Sequence, residues 1–368
     1  MKERIGIVTG GGDCPGLNAV IYATVMAADR SGWQTLGVQG GFDGLLTPIN
    51  VRPLDYRQMD GLLFLGGTIL GTANRGRFTA KVGLGENKAI DPAVLTEAKR
   101  NFDALGLRAL VVVGGDGSLS IGLQLQAAGI PIVGVPKTID NDLEGTQVTF
   151  GFDSAVSFAT DAIDRLRTHA ESHSRVMVVE MMGRYAGWIA AHAGIAGGAS
   201  VILIPEIPFH YDSIVRKITE REAEGRHYTM IVVAEGAREA GGNFVTLEEP
   251  SGGGGLGGGA FHEARLGGIA TVVAAEIQKR TGKETRVSVL GHLQRGGMPT
   301  TFDRLLCTRF GANAVRLIQE KKYGQMVALH SPDIIDIPIA EAVGKLRTVP
   351  TDGDIIRTGE ALGICFGA

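Results

Sequence analysis

The stretch Leu110-Val111-Val112-Val113-Gly114-Gly115-Asp116-Gly117-Ser118 decides the fold, and the stretch from Ile132 to Asp142 repeats its design. Each begins with a short apolar run rich in β-branched residues, which predicts a strand buried on both faces of a parallel sheet. Each then enters a polar loop, Gly114–Ser118 in the first stretch and Pro136–Asp142 in the second. Because ligands bind at the carboxyl ends of parallel strands, we expect the two loops to form one site.

The two loops together carry three carboxylates, Asp116, Asp140 and Asp142, and one lysine, Lys137. Glycine-exposed backbone amides and a lysine suit phosphate groups, whereas carboxylates suit a magnesium ion that keeps several of its waters. One carboxylate then remains to accept a proton. A simple strand-to-helix turn needs none of these acids, and burying unpaired carboxylates is costly. The pattern therefore indicates phosphoryl transfer from a nucleotide to a hydroxyl group.

The composition is typical of a soluble globular protein. The chain has 368 residues, of which 44% are hydrophobic and 20% charged, and its formal net charge is -3. This length favours two domains, and the lack of a dense Lys/Arg run argues against a nucleic-acid partner. The three cysteines are odd in number and far apart, which predicts free thiols and a cytoplasmic location. The uncharged stretch 185–205 contains several glycines, which favours a helix, a turn and a strand over a membrane span.

Strand and helix patterns alternate along the chain, which predicts an α/β protein with two doubly wound domains and largely parallel sheets. The first domain comprises residues 1–150 plus about 294–345, and the second comprises 151–293 plus the C-terminal segment. We expect the active site in the cleft between them. Two short segments carry separate predictions: Leu62–Leu65 is a strand, and the glycine-rich Ser251–Gly259 is a mobile surface loop, with a lid over a ligand as the alternative.

Eight segments, in order along the chain, resemble the motifs of 6-phosphofructokinases. They are Gly10–Gly16, Gly71–Arg75, Gly114–Ser118, Pro136–Asp142, Arg175, Met182–Arg184, Glu235 and Arg286–Gly297. The resemblance extends from Met1 to about residue 320. It implies transfer of the terminal phosphoryl group of ATP to the 1-hydroxyl of fructose 6-phosphate, a glycolytic reaction that gives fructose 1,6-bisphosphate and ADP and uses Mg2+. It also implies that the first domain binds the nucleotide and the second the sugar phosphate.

The resemblance implies a role for each matching residue. In the catalytic set Asp140 takes the hydroxyl proton, and the other members are Arg75, Lys137 and Gly117. The nucleotide contacts are Gly11, Arg75, Gly76, Gly115, Asp116, Gly117 and Ser118, and Asp116 also holds the magnesium. The contacts to the sugar phosphate are Thr138, Ile139, Asp140, Arg175, Met182, Gly183, Arg184, Glu235, Arg286, His292, Leu293, Gln294 and Arg295.

Two arginines of that set imply an oligomer. In the family the counterparts of Arg175 and Arg286 reach in from a neighbouring subunit. We therefore expect a homodimer or homotetramer whose active sites are shared between subunits, acting on small molecules and not on a membrane.

Two departures from the family pattern bear on the phosphoryl donor. Lys137 resembles the pyrophosphate-using branch, whereas Gly117 stands where pyrophosphate users carry aspartate. An aspartate there would crowd and repel the α-phosphate of a nucleotide, and glycine leaves room for it. The pair resembles an ATP-dependent or mixed-substrate group, so ATP is the favoured donor and pyrophosphate the alternative.

Two other functions fit the phosphate loops less well. Another kinase with a Gly-Gly-Asp-Gly loop, such as an NAD or lipid kinase, would not need the segments 182–184 and 286–297, which suit a small sugar phosphate. A non-catalytic nucleotide sensor would be expected to lose Asp140, Asp116 or Arg75, and the chain has all three.

Overall fold

A computed structural model describes residues 2–73, 76–78, 81–82, 86–87, 89–246 and 266–368. The chain divides into two compact units. The first consists of Met1–Ser154 with Arg295–Leu346, and the second of Ala155–Gln294 with Arg347–Ala368. Arg75 and the predicted loop Ser251–Gly259 lie outside the described residues.

The first part of the chain alternates strands and helices, as the hydrophobic pattern predicts. Its elements are β1 (Arg4–Thr9), α1 (Leu17–Arg30), β2 (Gln34–Val38), β3 (Val51–Leu54), β4 (Lys81–Val82), β5 (Glu86–Asn87), α2 (Pro92–Ala104), β6 (Leu107–Gly114), α3 (Asp116–Ala127) and β7 (Ile132–Pro136). The predicted strand Leu62–Leu65 is wrong. Leu62–Phe64 forms one turn of 3-10 helix instead, and the side chains of Phe64 and Leu65 are half exposed, because this short run pairs with no strand of the sheet.

The middle and last parts of the chain supply the remaining elements. In chain order they are α4 (Phe152–Ser172), β8 (Val176–Met181), α5 (Trp188–Ala196), β9 (Val201–Leu203), α6 (Tyr211–Ala223), β10 (Thr229–Ala234), α7 (Ile269–Thr281), β11 (Thr285–Val289), α8 (Thr301–Gln319), β12 (Gln325–His330), β13 (Asp333–Pro338), α9 (Ile339–Ala342) and α10 (Asp354–Ala361). The stretch 185–205 forms α5, a glycine turn and β9, as predicted. Within the described ranges, no helix has both the length and the apolar character needed to cross a bilayer.

A seven-stranded sheet organises the first unit, in the order β13-β12-β7-β6-β1-β2-β3. Its five inner strands are parallel, and the edge strands β13 and β3 are antiparallel to their neighbours. Leu110 to Val113 in β6 are fully buried, as their β-branched run predicts. Strand β1 lies between β2 and β6 in the sheet, so the strands that follow β1 in the sequence are added first on one side of it, as β2 and β3, and then on the other, as β6 and β7. This reversal between β1 and β6 is the position where open α/β sheets bind ligands.

A four-stranded parallel sheet in the order β11-β8-β10-β9 organises the second unit. Strands β8 and β10 are buried along their whole length, which fits their near-continuous apolar sequences. Strand β11 lies at the edge, and its side chains alternate less regularly, with Val287 and Val289 exposed. The carboxyl ends of β8, β10 and β11 are therefore neighbours.

Candidate active site

Three loops meet at the carboxyl ends of β1, β6 and β7 in the first unit. The N–H of Gly10 donates to the carbonyl oxygen of Val113 at 2.9 Å, and the N–H of Lys137 donates to that of Gly114 at 3.0 Å. These bonds join the loop after β1 to β6, and the loop after β7 to the loop after β6. The two stretches that decide the fold thus come together, as their positions after neighbouring strands predict.

Glycine is required where the loop after β1 approaches the start of α3. A Cβ atom on Gly10 would lie 2.6 Å from Oγ of Ser118, well inside contact distance. Gly11 has φ +75, and a Cβ there would lie 3.4 Å from Nζ of Lys137. The bare backbone of this loop therefore lies directly beside the lysine and the start of the helix, which is the arrangement that admits a phosphate group.

Lys137 lies at the centre of the three loops with 3% of its surface exposed. Its ammonium group donates to the carbonyl oxygen of Gly12. Burial lowers the pKa of Lys137, and the positive charge of Arg295 acts in the same direction, whereas the negative charges of Asp140 and Asp13 oppose the shift. The site thus holds a buried amine with acids on two sides of it.

Asp140 is 5% exposed and lies in a braced loop. Its N–H donates to Oγ1 of Thr138 at 3.1 Å. Thr149 holds the same loop, since its hydroxyl donates to the carbonyl oxygen of Thr138 at 2.7 Å and its N–H to Oδ1 of Asn141 at 3.0 Å. Oδ1 of Asp140 is buried and accepts no hydrogen bond from any described residue. A braced loop thus holds a buried carboxylate oxygen to which no group of the described ranges donates a hydrogen bond.

Asp116 is the first residue of α3, with Gly115 in the N-cap position. Ser118 lies inside the helix and does not cap it. One oxygen of Asp116, Oδ1, accepts from the N–H of Gly344 at 3.0 Å. The described part of the chain contains no cluster of three or more candidate metal ligands. Asp116 alone fits a magnesium ion, because Mg2+ needs only one or two protein carboxylates and keeps several waters.

The remaining predicted residues of the first unit differ in their surroundings. Ile139 is fully buried and Thr138 is 9% exposed. Gly117 is half-buried on the first turn of α3, and Gly76 is exposed. Arg295, predicted as a contact to the sugar phosphate, lies in the first unit, where its Nη1 donates to the carbonyl oxygen of Asp13 at 3.3 Å.

A second group of predicted residues meets at the carboxyl ends of β8, β10 and β11 in the second unit. The N–H of Arg184 donates to Oε1 of Glu235 at 3.0 Å. The N–H of Met182 donates to Oε1 of Gln294 at 2.8 Å. The loops after the three neighbouring strands are thus linked, and they combine a cation with polar groups as a small anionic sugar requires.

Gln294 supports this group from inside. It is 1% exposed, whereas His292 and Leu293 before it are exposed. Gly183 permits the sharp turn beside it, since its φ is +143 and a Cβ there would lie 2.6 Å from the carbonyl oxygen of Ala186. Gln294 therefore positions the loop after β8, and the exposed residues are the ones free to meet a ligand.

The structure does not bring Arg175 and Arg286 to this group. Arg175 immediately precedes β8, whereas Met182 immediately follows it. Arg286 is the second residue of β11 and pairs in register with Met177, the second residue of β8. Six strand residues span about 20 Å. The two arginines therefore lie at the opposite end of the same sheet.

Sequence reasoning missed two residues of the site. Thr149 braces the Asp140 loop from outside the motif, and the isolated bridge between Lys137 and Phe150 helps to place it there. Glu284 pairs with both Arg175 and Arg286. The ion pair between Glu284 and Arg286 could have been predicted, because the two residues are two positions apart in the sequence. The ion pair between Glu284 and Arg175 depends on the register of β11 against β8 and could not.

Comparisons with known proteins identify the family of this chain. Residues 4–318 match the sequence profile of the family described as Phosphofructokinase. The chain is 50% identical over 366 residues to the ATP-dependent 6-phosphofructokinase of Chloroflexus aggregans, covering 100% of this chain and 98% of that protein. It is 48% identical over 352 residues to the pyrophosphate–fructose 6-phosphate 1-phosphotransferase of Amycolatopsis methanolica, covering 95% and 97%. The solved structure of phosphofructokinase from Saccharomyces cerevisiae superposes with a TM-score of 0.77 and 30% sequence identity, and the match covers 92% of this chain and 45% of that one.

Proposed function

Because the chain belongs to the phosphofructokinase family, we propose that it transfers the terminal phosphoryl group of ATP to the 1-hydroxyl of fructose 6-phosphate. The products are fructose 1,6-bisphosphate and ADP. The single observation that carries this proposal is the buried oxygen of Asp140, near Lys137 and after a central strand, which has no hydrogen-bond partner in the part of the chain that the structure describes. A carboxylate in that state is equipped to take a proton from a bound hydroxyl.

The first unit supplies the chemistry of the transfer. Asp140 accepts the proton of the attacking hydroxyl, and the bracing of its loop keeps the carboxylate in place during the step. The amides of the loop after β1 and of the first turn of α3 bind the phosphates of the donor, and Lys137 offsets part of their charge. Arg75 is proposed for the same task on the strength of its motif alone.

Magnesium belongs to this proposal. Asp116, at the start of α3, is the protein ligand, with waters and donor phosphates filling the other positions. When bound, the ion neutralises charge that develops on the phosphates. The residues fit such an ion because the site combines few carboxylates with glycine-exposed amides.

The second unit recognises the sugar phosphate through the loops after β8, β10 and β11. Arg175 and Arg286 serve this site from a second copy of the chain. Support comes from the length of β8, since about 20 Å separates these arginines from the other residues of the set within one chain. The active enzyme is therefore a homodimer or homotetramer with shared sites.

Pyrophosphate is the second candidate donor, and Lys137 favours it. Its ammonium group lies beside the loop after β1, where it would pair with a small dianionic donor. Gly117 favours ATP, because its missing side chain leaves room for an α-phosphate. We give the steric argument more weight, since a lysine can pair with either donor.

A cytoplasmic location is also proposed. All three cysteines, Cys14, Cys307 and Cys365, are free thiols. Free thiols fit a reducing compartment, which is also where ATP is abundant.

The decisive experiment compares donors. Turnover of fructose 6-phosphate by the wild-type chain is measured with ATP and with pyrophosphate at equal free magnesium, and again after chelation. We expect turnover with ATP that stops when the metal is removed. Turnover with pyrophosphate alone would reject ATP as donor, and no turnover with either would reject the proposed function.

A further inference from the structure

Four charged or polar side chains form a cluster at the amino ends of β8 and β11: Arg175, Arg286, Glu284 and His169. Nη2 of Arg175 lies 3.1 Å from Oε1 of Glu284. Nη2 of Arg286 donates to the same oxygen. Nη1 of Arg175 donates to Nε2 of His169 at 3.0 Å. The guanidinium groups of Arg175 and Arg286 therefore converge on one anionic oxygen, and His169 holds that of Arg175 through a second hydrogen bond.

This convergence reproduces the contacts that a phosphate oxygen receives from a pair of arginines. Arg286 is held by the register of β11 against β8, so the two guanidinium groups approach from neighbouring strands. The side chain of Glu284 is 43% exposed and that of Arg175 is 16% exposed. The carboxylate thus lies on the solvent side of a more deeply buried cation, where an incoming anion would have to bind.

We infer that Glu284 is an internal competitor of the sugar phosphate. Its carboxylate occupies the anion position of the Arg175–Arg286 pair, and the phosphate group displaces it on binding. The inference rests on the proposed function, in which these two arginines bind fructose 6-phosphate. His169 keeps Arg175 in place during the exchange, because its contact uses the other terminal nitrogen of the guanidinium.

The inference predicts how the affinity for the sugar phosphate changes when the charge of Glu284 is removed. Removing the charge of Glu284 leaves both arginines available and raises the net positive charge of the cluster, so the affinity for a dianion increases. Both ion pairs are partly exposed, and such pairs are individually weak. The effect of losing both is therefore about a threefold to tenfold decrease in the KM for fructose 6-phosphate.

The test uses Glu284→Gln in the full-length chain, with steady-state kinetics for both substrates. We expect the lower KM for fructose 6-phosphate, with kcat and the KM for ATP within about twofold of wild type. Glu276→Gln is the matched control, because Glu276 also pairs with two cations, Lys279 and Arg280, on the surface of the same unit. The control should leave all three parameters unchanged.

A second pair of variants separates the inference from the proposed function. Arg286→Ala should raise the KM for fructose 6-phosphate, and adding Glu284→Gln to it should recover little, because the two residues act through one contact. An unchanged KM in Arg286→Ala rejects the proposed role of the arginines. A raised KM there, together with an unchanged or raised KM in Glu284→Gln, rejects the inference and leaves the function standing.

Discussion

Replacing Asp140 by Asn should separate the activity of this enzyme from its stability. The substitution keeps the size and shape of the side chain and removes its ability to accept a proton. The loop is held by the backbone N–H of Asp140 and by Thr149, neither of which changes. The structure therefore predicts that the site keeps its geometry while the proposed base is lost.

The two effects have different sizes and opposite signs. General-base catalysis contributes about 10²–10⁴ in rate, so kcat should fall by that factor, or roughly 3–5 kcal/mol in the activation barrier. Oδ1 of Asp140 is buried without a hydrogen-bond donor among the described residues. Because a neutral amide costs less to bury than a half-satisfied carboxylate, the free energy of unfolding should rise by about 1 kcal/mol.

The assay combines kinetics with chemical denaturation. The KM for fructose 6-phosphate should change little, since the sugar phosphate is bound mainly by other residues. Asp303→Asn is a suitable control for kcat, because Asp303 is also a buried carboxylate of the same unit, its Oδ2 accepts hydrogen bonds from Ser154, and it has no role in the proposed transfer. The reasoning fails if Asp140→Asn lowers stability by more than about 1 kcal/mol, which would give its carboxylate a structural role, or if kcat falls less than tenfold.

Three further predictions concern assembly, acid stability and the donor. Mixing Arg286→Ala subunits with Asp140→Ser subunits should restore roughly a quarter of wild-type activity when fructose 6-phosphate is well below the KM of Arg286→Ala, because half of the randomly paired dimers are hybrids and one of the two sites in each hybrid is complete; a mixture as inactive as its parents would show that each chain completes its own site. Burial raises the pKa of Asp303 from 3.8 to about 6. The raised pKa stabilises the folded state fully at pH values below 3.8, the pKa of the unfolded chain, and this contribution is lost as the pH rises through 6. Between pH 4 and 7 the free energy of unfolding of wild type should therefore fall by up to about 3 kcal/mol relative to Asp303→Asn in denaturation experiments. The same pH dependence in both proteins would contradict the assigned burial effect. Gly117→Asp should crowd and repel the α-phosphate of ATP, which reduces turnover with ATP by about 100-fold and spares turnover with pyrophosphate. Equal losses with both donors would refute the argument that residue 117 selects the donor.

Local sequence determined the elements that carry the chemistry. The apolar run Leu110–Val113 and the glycine loop after it predict a buried strand followed by a turn into a helix, and both features are observed. Asp91 and Pro92 likewise predict the start of α2, where the Asp91 side chain accepts from the N–H of Ala93 at 2.8 Å. These signals are readable because burial, backbone freedom and capping depend on residues within a few positions of one another.

The edge strands could not be predicted from the local sequence. Strands β3 and β13 lie at the two edges of the large sheet and have no long apolar run. The short apolar segment Leu62–Leu65 looked more like a strand than Val51–Leu54 did, yet only the latter finds a partner, β2. Whether a short segment becomes a strand depends on a neighbour that is distant in sequence.

Sequence by itself determined the glycine loops after the strands and the α/β fold, and it predicted a base and a metal ligand in those loops, since each of these follows from side chains close together along the chain. Only the tertiary structure decided that one oxygen of Asp140 is buried without a hydrogen-bond partner among the residues it describes, that Arg295 lies beside the loop after β1, and that Arg175 and Arg286 share the carboxylate of Glu284 at the far end of a strand. Those outcomes depend on strand order and register, which bring together residues more than a hundred positions apart and separate others by the length of a strand.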